Sequence, residues 1–335
     1  NEHLYFRLLS ENLERYMPVV YTPTVAEATR NFSHVFRRAR GVWISPGCRG
    51  RMARVLRDVV GNQPVRLIVA TDNESILGIG DQGAGGMAIC IGKLALYTVA
   101  AGIPPAAALP VSLDVGTDNE SLLTDEMYVG WRKPRLRGAE YDAFIEEFVE
   151  AVAEVFPHAL LQWEDLRKDI ALAVADRYRE RLPSFNDDIQ GTGAVALAGV
   201  LASARVTGTS VAEQRVVVHG AGAAGLGIAR QIKAAMRLAG LSEAECTRRV
   251  AALDSRGLLV ADHELRDAYK RELAWPADHA ASFGLGPDAD RGLESLVRAF
   301  RPTVLIGTSG QPGCFGEGLV REMARKGLEI AVGVL

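Results

Sequence analysis

Cysteine is scarce in this chain and never paired in sequence: Cys48, Cys90, Cys246 and Cys314 stand far apart and form no CxxC. That spacing excludes a zinc knuckle and a disulfide framework and fits a reducing, cytoplasmic setting. Long apolar runs are also missing, because a Gly or a charge interrupts each one well before the ~20 residues needed to cross a bilayer, so no membrane span is expected. Nor is there an excess of either charge. A formal net charge of -3 and a pI near 6.1 give no bulk attraction to nucleic acid or to an anionic membrane, which leaves a small molecule as the expected partner. The opening residues Asn1-Glu2-His3-Leu4 have no Met, basic n-region or apolar h-region; no targeting peptide is read there, and the N-terminus reads as cut. Internal repeats and low-complexity segments are absent.

What is present is the balance of a soluble globular enzyme, with 48% hydrophobic and 24% charged residues over 335 positions, a length that favours two domains. Short apolar runs end in polar residues: Leu67 to Ala70 before Thr71-Asp72, Leu109 to Leu113 before Asp114, and Leu160 to Trp163 before Glu164-Asp165. They read as buried strands. Between the last two, Tyr141, Phe144, Ile145, Phe148, Val149, Val152, Val155 and Phe156 follow the 3-and-4 spacing of an amphipathic helix that Pro157 ends. The alternation predicts an α/β fold with a parallel sheet, in which ligands bind beyond the carboxyl ends of the strands. A second unit opens at Arg215-Val216-Val217-Val218-His219, with later strands at Val250 to Leu253 and Thr303 to Gly307. The boundary is expected in the loosened stretch Thr207 to Gln214, giving a parallel-sheet catalytic domain over 1-206 and a Rossmann-type dinucleotide-binding domain over 207-335.

Three groups of residues carry the chemistry. Gly220, Gly222, Ala223 and Gly225 form a turn between a strand and a helix, where glycines let backbone amides and a helix N-terminus approach a pyrophosphate. Asp254, at the end of the next strand, suits a ribose diol, while Ser255 and Arg256 suit a 2'-phosphate, so NAD and NADP both fit. Glu164-Asp165 and Asn186-Asp187-Asp188 place four acids at the ends of segments expected to be neighbours in the sheet. A single Asp usually caps a helix or bonds a loop amide; four acids with no His or Cys nearby suit Mg2+ or Mn2+. Lys93 lies in the apolar stretch Ala88 to Tyr97, where burial lowers a lysine pKa towards general-base work and a neighbouring acid such as Asp187 limits that fall. A snorkelling lysine is the ordinary alternative, and a core or turn role is the ordinary one for Tyr21.

Taken in order, Val20-Tyr21-Thr22-Pro23-Thr24-Val25, Gly78-Ile79-Gly80-Asp81, Ile91-Gly92-Lys93-Leu94, Trp163-Glu164-Asp165 and Phe185-Asn186-Asp187-Asp188-Ile189-Gln190-Gly191-Thr192 resemble the motifs of the malic enzyme family. The resemblance implies oxidation of L-malate to pyruvate and CO2 with a nicotinamide cofactor and a divalent metal. It further implies Tyr21 as general acid, Lys93 as general base with Asp187 beside it, and Glu164, Asp165 and Asp188 as metal ligands. A homo-oligomer, dimer or tetramer, is implied in the same way.

The sequence departs from that pattern in three places. Ser75 stands where many oxidative members carry a substrate-binding Arg, an Arg that malolactic enzymes, which convert malate to lactate, also lack. Leu166 and Ile170 replace an aromatic residue and an Asn after the Glu-Asp pair, beside the metal ligands. Family members also continue past the region of Leu328 to Leu335, so the chain reads as a fragment truncated at both ends. Three rivals follow: a malolactic enzyme, a cofactor- or metal-binding fragment without turnover, and an amino acid dehydrogenase of the leucine or glutamate type, which leaves the acid cluster unexplained.

Overall fold

The structure, a computed structural model, describes residues 1-35, 40-76, 78-265, 267-311, 313-325 and 330-333. Leu77, and Leu328, Glu329, Val334 and Leu335 of the C-terminal stretch singled out above, lie outside the described residues. The chain divides into two compact units, Asn1–Asn186 and Asp187–Leu335.

In the first unit β1 (Val42–Ile44), β2 (Leu67–Thr71), β3 (Ala108–Leu113), β4 (Leu160–Trp163) and β5 (Ser184–Asn186) form one sheet in the order β1-β3-β2-β4-β5. Every pairing in it is parallel. The strands following β2 pair on opposite sides of it, so the crevice beyond β2 and β4 is the switch point where such sheets bind ligands. β4 pairs with β5 and brings Trp163 opposite Asn186, making neighbours of the two acid-bearing segments as their sequence implied. Leu67 and Val69 alternate onto one face and pack with Met87, Cys90 and Leu94 of the helix Met87–Ala101; each such side chain fully buried is worth about 1.5–3 kcal/mol. The predicted amphipathic helix runs Gly138–Val155, its stripe Phe144, Ile145, Phe148 and Val149 buried.

In the second unit β6 (Val216–His219), β7 (Val250–Asp254), β8 (Gly257–Leu258), β9 (Val304–Gly307) and β10 (Ile330–Gly333) are ordered β10-β9-β6-β7-β8. All pairs are parallel except β7 with β8. β6 is flanked by β7 and β9, which again makes a switch point at its carboxyl end. Trp275 is fully buried among Leu253, Val260 and Phe300, and its indole N–H donates to the Val250 carbonyl at 2.9 Å. Arg291 holds Asp262 in a two-pronged ion pair and lowers its carboxyl to a pKa of about 2. A carboxyl depressed in the folded state contributes stability above its unfolded pKa and loses it as the pH falls through the folded one. We expect Asp262→Asn to flatten the decline in stability between pH 5 and 2, on the order of 1–2 kcal/mol, as read by urea unfolding at stepped pH.

The units part at Asn186/Asp187, not at the expected 206/207. Asp187–Gly191 forms a wide helical turn that runs into the helix Thr192–Thr207, and this helix packs on the helix Ala223–Leu238. The contact is close: a Cβ on Gly193 would stand 2.7 Å from the Gly227 carbonyl oxygen. The loosened stretch at Thr207 is therefore a turn within the second unit. Its helix, extended by the preceding turn to Asp187–Thr207, and the stretch Gly83–Ala101 are long and apolar enough to cross a membrane, although no such run stands out in the sequence. The second packs against β2 and β3 and is more than half buried, as a core helix is.

Candidate active site

Lys93 projects from the middle of Met87–Ala101. At its neighbour Gly92 a Cβ would stand 3.0 Å from both a Tyr21 ring carbon and the Val20 carbonyl oxygen. The missing side chain is what lets the Tyr21 ring lie against the helix, with the Lys93 ammonium 5.1 Å from its centroid. Lys93 Nζ is 2.8 Å from Glu164 Oε1, the two side chains being 15% and 3% exposed. Tyr21 donates its hydroxyl proton to the same oxygen over 3.4 Å. Gln162 Nε2 donates to Glu164 Oε2 at 2.6 Å, and Tyr97 OH donates to Gln162 Oε1 at 2.7 Å. One buried carboxylate thus gathers a lysine, a phenol and an amide, and the ion pair offsets the desolvation of its members. Burial first, then the Glu164 charge, push the Tyr21 hydroxyl well above its ordinary pKa, with Lys93 pulling the other way; the phenol keeps its proton at neutral pH.

Asp165 follows with a left-handed backbone, φ 53°, and its carbonyl accepts the Ser75 amide at 3.1 Å, tying the loop after β2 to the loop after β4. Leu166 is buried behind it. The β2 loop is organised by Arg135, which the sequence did not single out and whose side chain is 1% exposed. Its guanidinium donates to the Asp72 carbonyl, to Asp81 Oδ1 at 3.1 Å and to the Gly116 carbonyl at 3.0 Å. It also lies 3.5 Å from the Asp72 carboxylate and 3.7 Å from that of Glu74. Tyr141 donates to Asp72 at 2.7 Å; burial nevertheless leaves the Asp72 carboxyl above its usual range.

The first unit therefore brings Tyr21, Lys93 and Glu164 into contact and sets Asp165 beside them. Asp187 and Asp188 follow Asn186 at once in the chain, as the first residues of the second unit. Among the described residues no group of three or more His, Cys, Asp or Glu is drawn together as a metal cage. In their chemistry Glu164, Asp165 and Asp188 still fit a hard divalent cation, as oxygen donors without a nitrogen or sulfur among them.

In the second unit Gly220 leaves β6 at φ 122°, and a Cβ there would stand 2.5 Å from the Thr308 carbonyl carbon. A Cβ on Gly225 would fall 1.9 Å from the Gly220 carbonyl oxygen. Around Gly222, by contrast, nothing lies within 4 Å of the Cβ position. There, with Ala223 as its first residue, the helix Ala223–Leu238 begins without a side-chain cap. Open amides at the start of a long helix, with space before them, fit a pyrophosphate. Gly225→Ala is expected to weaken dinucleotide binding at least tenfold, measured by calorimetry, since its methyl displaces the Gly220 carbonyl and the turn with it.

Asp254 ends β7, as the sequence predicts, but its carboxylate is already held. Oδ2 accepts from Lys270 at 2.6 Å and Oδ1 from the Arg256 amide at 2.8 Å. Against the effect of burial, these bonds bring its pKa below the ordinary value. Ser255 is exposed beside it. Lys270 and Thr308, whose hydroxyl donates to the Gly220 carbonyl at 2.7 Å, were missed in the sequence. Thr308 follows the carboxyl end of β9 at the switch point and was open to that rule; Lys270 carries no local signal.

Comparison with known proteins agrees with this layout. The family profile "Malic enzyme, N-terminal domain" matches residues 1-179, and "Malic enzyme, NAD binding domain" matches residues 189-329. The chain belongs to the malic enzyme family. Among curated malic enzymes it is 48% identical over 323 residues to proteins named NAD-dependent malic enzyme from Pseudomonas aeruginosa and Sodalis glossinidius, in each case over 96% of this chain and 57% of the relative. The chain thus spans little more than half the length of these relatives. Two malic enzymes of known structure share its fold. The Entamoeba histolytica enzyme has a TM-score of 0.53 at 23% identity, over 89% of this chain and 51% of that one. The Pyrococcus horikoshii enzyme has a TM-score of 0.52 at 23% identity, over 90% and 57%.

Proposed function

We propose that the chain carries the proton-transfer and dinucleotide-binding machinery for oxidative decarboxylation of L-malate to pyruvate and CO2, with NAD and with Mg2+ or Mn2+. The observation that carries this reading is the meeting of Lys93 and Tyr21 on one buried carboxylate, Glu164, in a family whose relatives are named for NAD. When bound, the nicotinamide supplies the oxidant and the metal, held by Glu164, Asp165 and Asp188, supplies a Lewis acid. The residues of the chain divide the protons between them. Lys93 is the general base assigned to take the C2 hydroxyl proton as malate is oxidised to a β-keto acid, with Asp187 assigned to assist it. Tyr21, whose phenol keeps its proton at neutral pH, protonates C3 after CO2 has left. Glu164 holds both groups in register, and the Gln162–Tyr97 relay fixes Glu164.

Gly220, Gly222, Ala223 and Gly225 then hold the pyrophosphate, and Asp254 with Ser255 the adenosine ribose. The grip of Lys270 and the Arg256 amide keeps Asp254 ionised as an acceptor for a ribose diol, and the naming of the relatives for NAD supports NAD over NADP. The four free cysteines support a cytoplasmic setting. Exposed Leu4, Tyr5, Leu8, Met17 and Val19 support association of copies through the N-terminal helices. Ser75 keeps a second reading, malolactic conversion of malate to lactate.

The test is incubation with L-malate, Mn2+ and either NAD or NADP, assaying pyruvate and lactate. Pyruvate formed with NAD in preference to NADP is the expected result. Lactate without net reduction of the cofactor would replace this reading by the malolactic one, and no turnover alongside measurable NAD binding would reduce the chain to a ligand-binding fragment.

A further inference from the structure

We propose that a cavity on the second unit, built around Lys233, is a binding site for a small oxyanion of the phosphate class, separate from the glycine turn. Lys233 lies on the helix Ala223–Leu238, ten residues beyond its first residue and so ~15 Å along the helix from the open amides. It is 5% exposed. Its ammonium donates to the Glu272 carbonyl at 3.0 Å and to the Thr247 hydroxyl at 3.3 Å. Both acceptors are neutral, and among the described residues no carboxylate comes within ion-pair distance of it. A buried ammonium that no carboxylate touches is costly, and Glu243 and Glu272 offset that cost only from a distance.

The lysine does not lie in closed packing. It lines a cavity of about 210 Å³ together with Arg230, Arg237, Glu243, Glu272 and Leu273. Arg230 and Arg237 stand one turn to either side on the same helix face. Each acid is already committed to an arginine: Glu272 accepts from Arg230 at 2.7 Å and Glu243 from Arg237 at 2.6 Å. With both lining acids held by arginines, the Lys233 ammonium, the most buried of the lining cations, has no carboxylate in contact among the described residues. An ammonium has three protons, and the third is free for an anion in the cavity. A phosphate there satisfies it, and the flanking guanidiniums suit the remaining oxygens. Desolvation also lowers the Lys233 pKa, a penalty that a bound anion relieves. The segment supplying the Glu272 carbonyl carries Lys270, which grips Asp254, so the cavity adjoins the connection that shapes the cofactor pocket.

The test is calorimetric titration of the whole chain with inorganic phosphate at constant ionic strength, with NAD present to occupy the glycine turn. Wild type should bind one phosphate, and Lys233→Met, which keeps the length of the side chain without its charge, should bind at least tenfold more weakly. Arg237→Gln, at the exposed rim, should fold normally and weaken binding several-fold, which keeps the proposal open to refutation if Lys233→Met does not fold. Glycerol 3-phosphate run in parallel separates two sources of the ligand: tighter binding than phosphate, still dependent on Lys233, assigns the site to the phosphate group of a larger ester. No phosphate bound by wild type, or affinity unchanged in either variant, would overturn the proposal.

Discussion

Lys93→Arg should lower malate turnover by about 10²–10⁴-fold, the usual contribution of a positioned acid or base, while dinucleotide binding at the glycine turn stays within a factor of two of wild type. Arginine keeps a cation beside Glu164 but does not give up its proton near neutral pH, so it can stand in the ion pair and not in the reaction. Lys93→Ala removes both functions. Because Glu164 is 3% exposed, losing its cation leaves a buried charge, and this second variant should also lose about 3–5 kcal/mol of stability. Activity assays paired with urea unfolding separate the two effects. Turnover retained by Lys93→Arg would remove the general-base assignment.

The second large effect is expected at Arg135, which touches none of the proposed reacting groups. Its guanidinium neutralises Asp72, Glu74 and Asp81 together and ties down the Asp72 and Gly116 carbonyls. In Arg135→Met the side chain still fills space, but Asp72, fully buried, keeps only Tyr141 and the Glu74 amide as partners. A loss of about 3–5 kcal/mol is expected, read as a lower urea midpoint with an unchanged slope. The β2 loop that carries Ser75 should loosen with it and raise KM for malate. A loss under ~1 kcal/mol would show that the loop acids are neutralised by protonation instead.

The parts of this molecule legible in its sequence are those set by local pattern. Runs such as Leu160 to Trp163 became strands because burial on both faces demands unbroken apolar residues, and the acids just past them fell at the carboxyl ends as parallel-sheet topology requires. The glycine turn was legible because each glycine answers a steric demand within a few residues of itself. What escaped is what distant pairings decide. Arg135, Gln162, Tyr97, Lys270 and Lys233 are ordinary polar residues on strands, helices and loops, and only the fold reveals that each holds a carboxylate, a carbonyl or another amide. The unit boundary escaped for the same reason: Thr207-Gly208-Thr209-Ser210 has the composition of a linker, and the close approach of Gly193 to Gly227 cannot be read one helix at a time.

The division of proton transfer between Lys93 and Tyr21 is the central claim, and supplying the β-keto acid directly tests it. Pyruvate formation from oxaloacetate with Mn2+ should survive in Lys93→Arg, which is blocked only in the step that makes the keto acid. It should fall by about tenfold or more in Tyr21→Phe, which is impaired on malate and oxaloacetate alike. If Lys93→Arg were as impaired on oxaloacetate as Tyr21→Phe, or if Tyr21→Phe were unaffected on both substrates, the two residues would not share the reaction in this way.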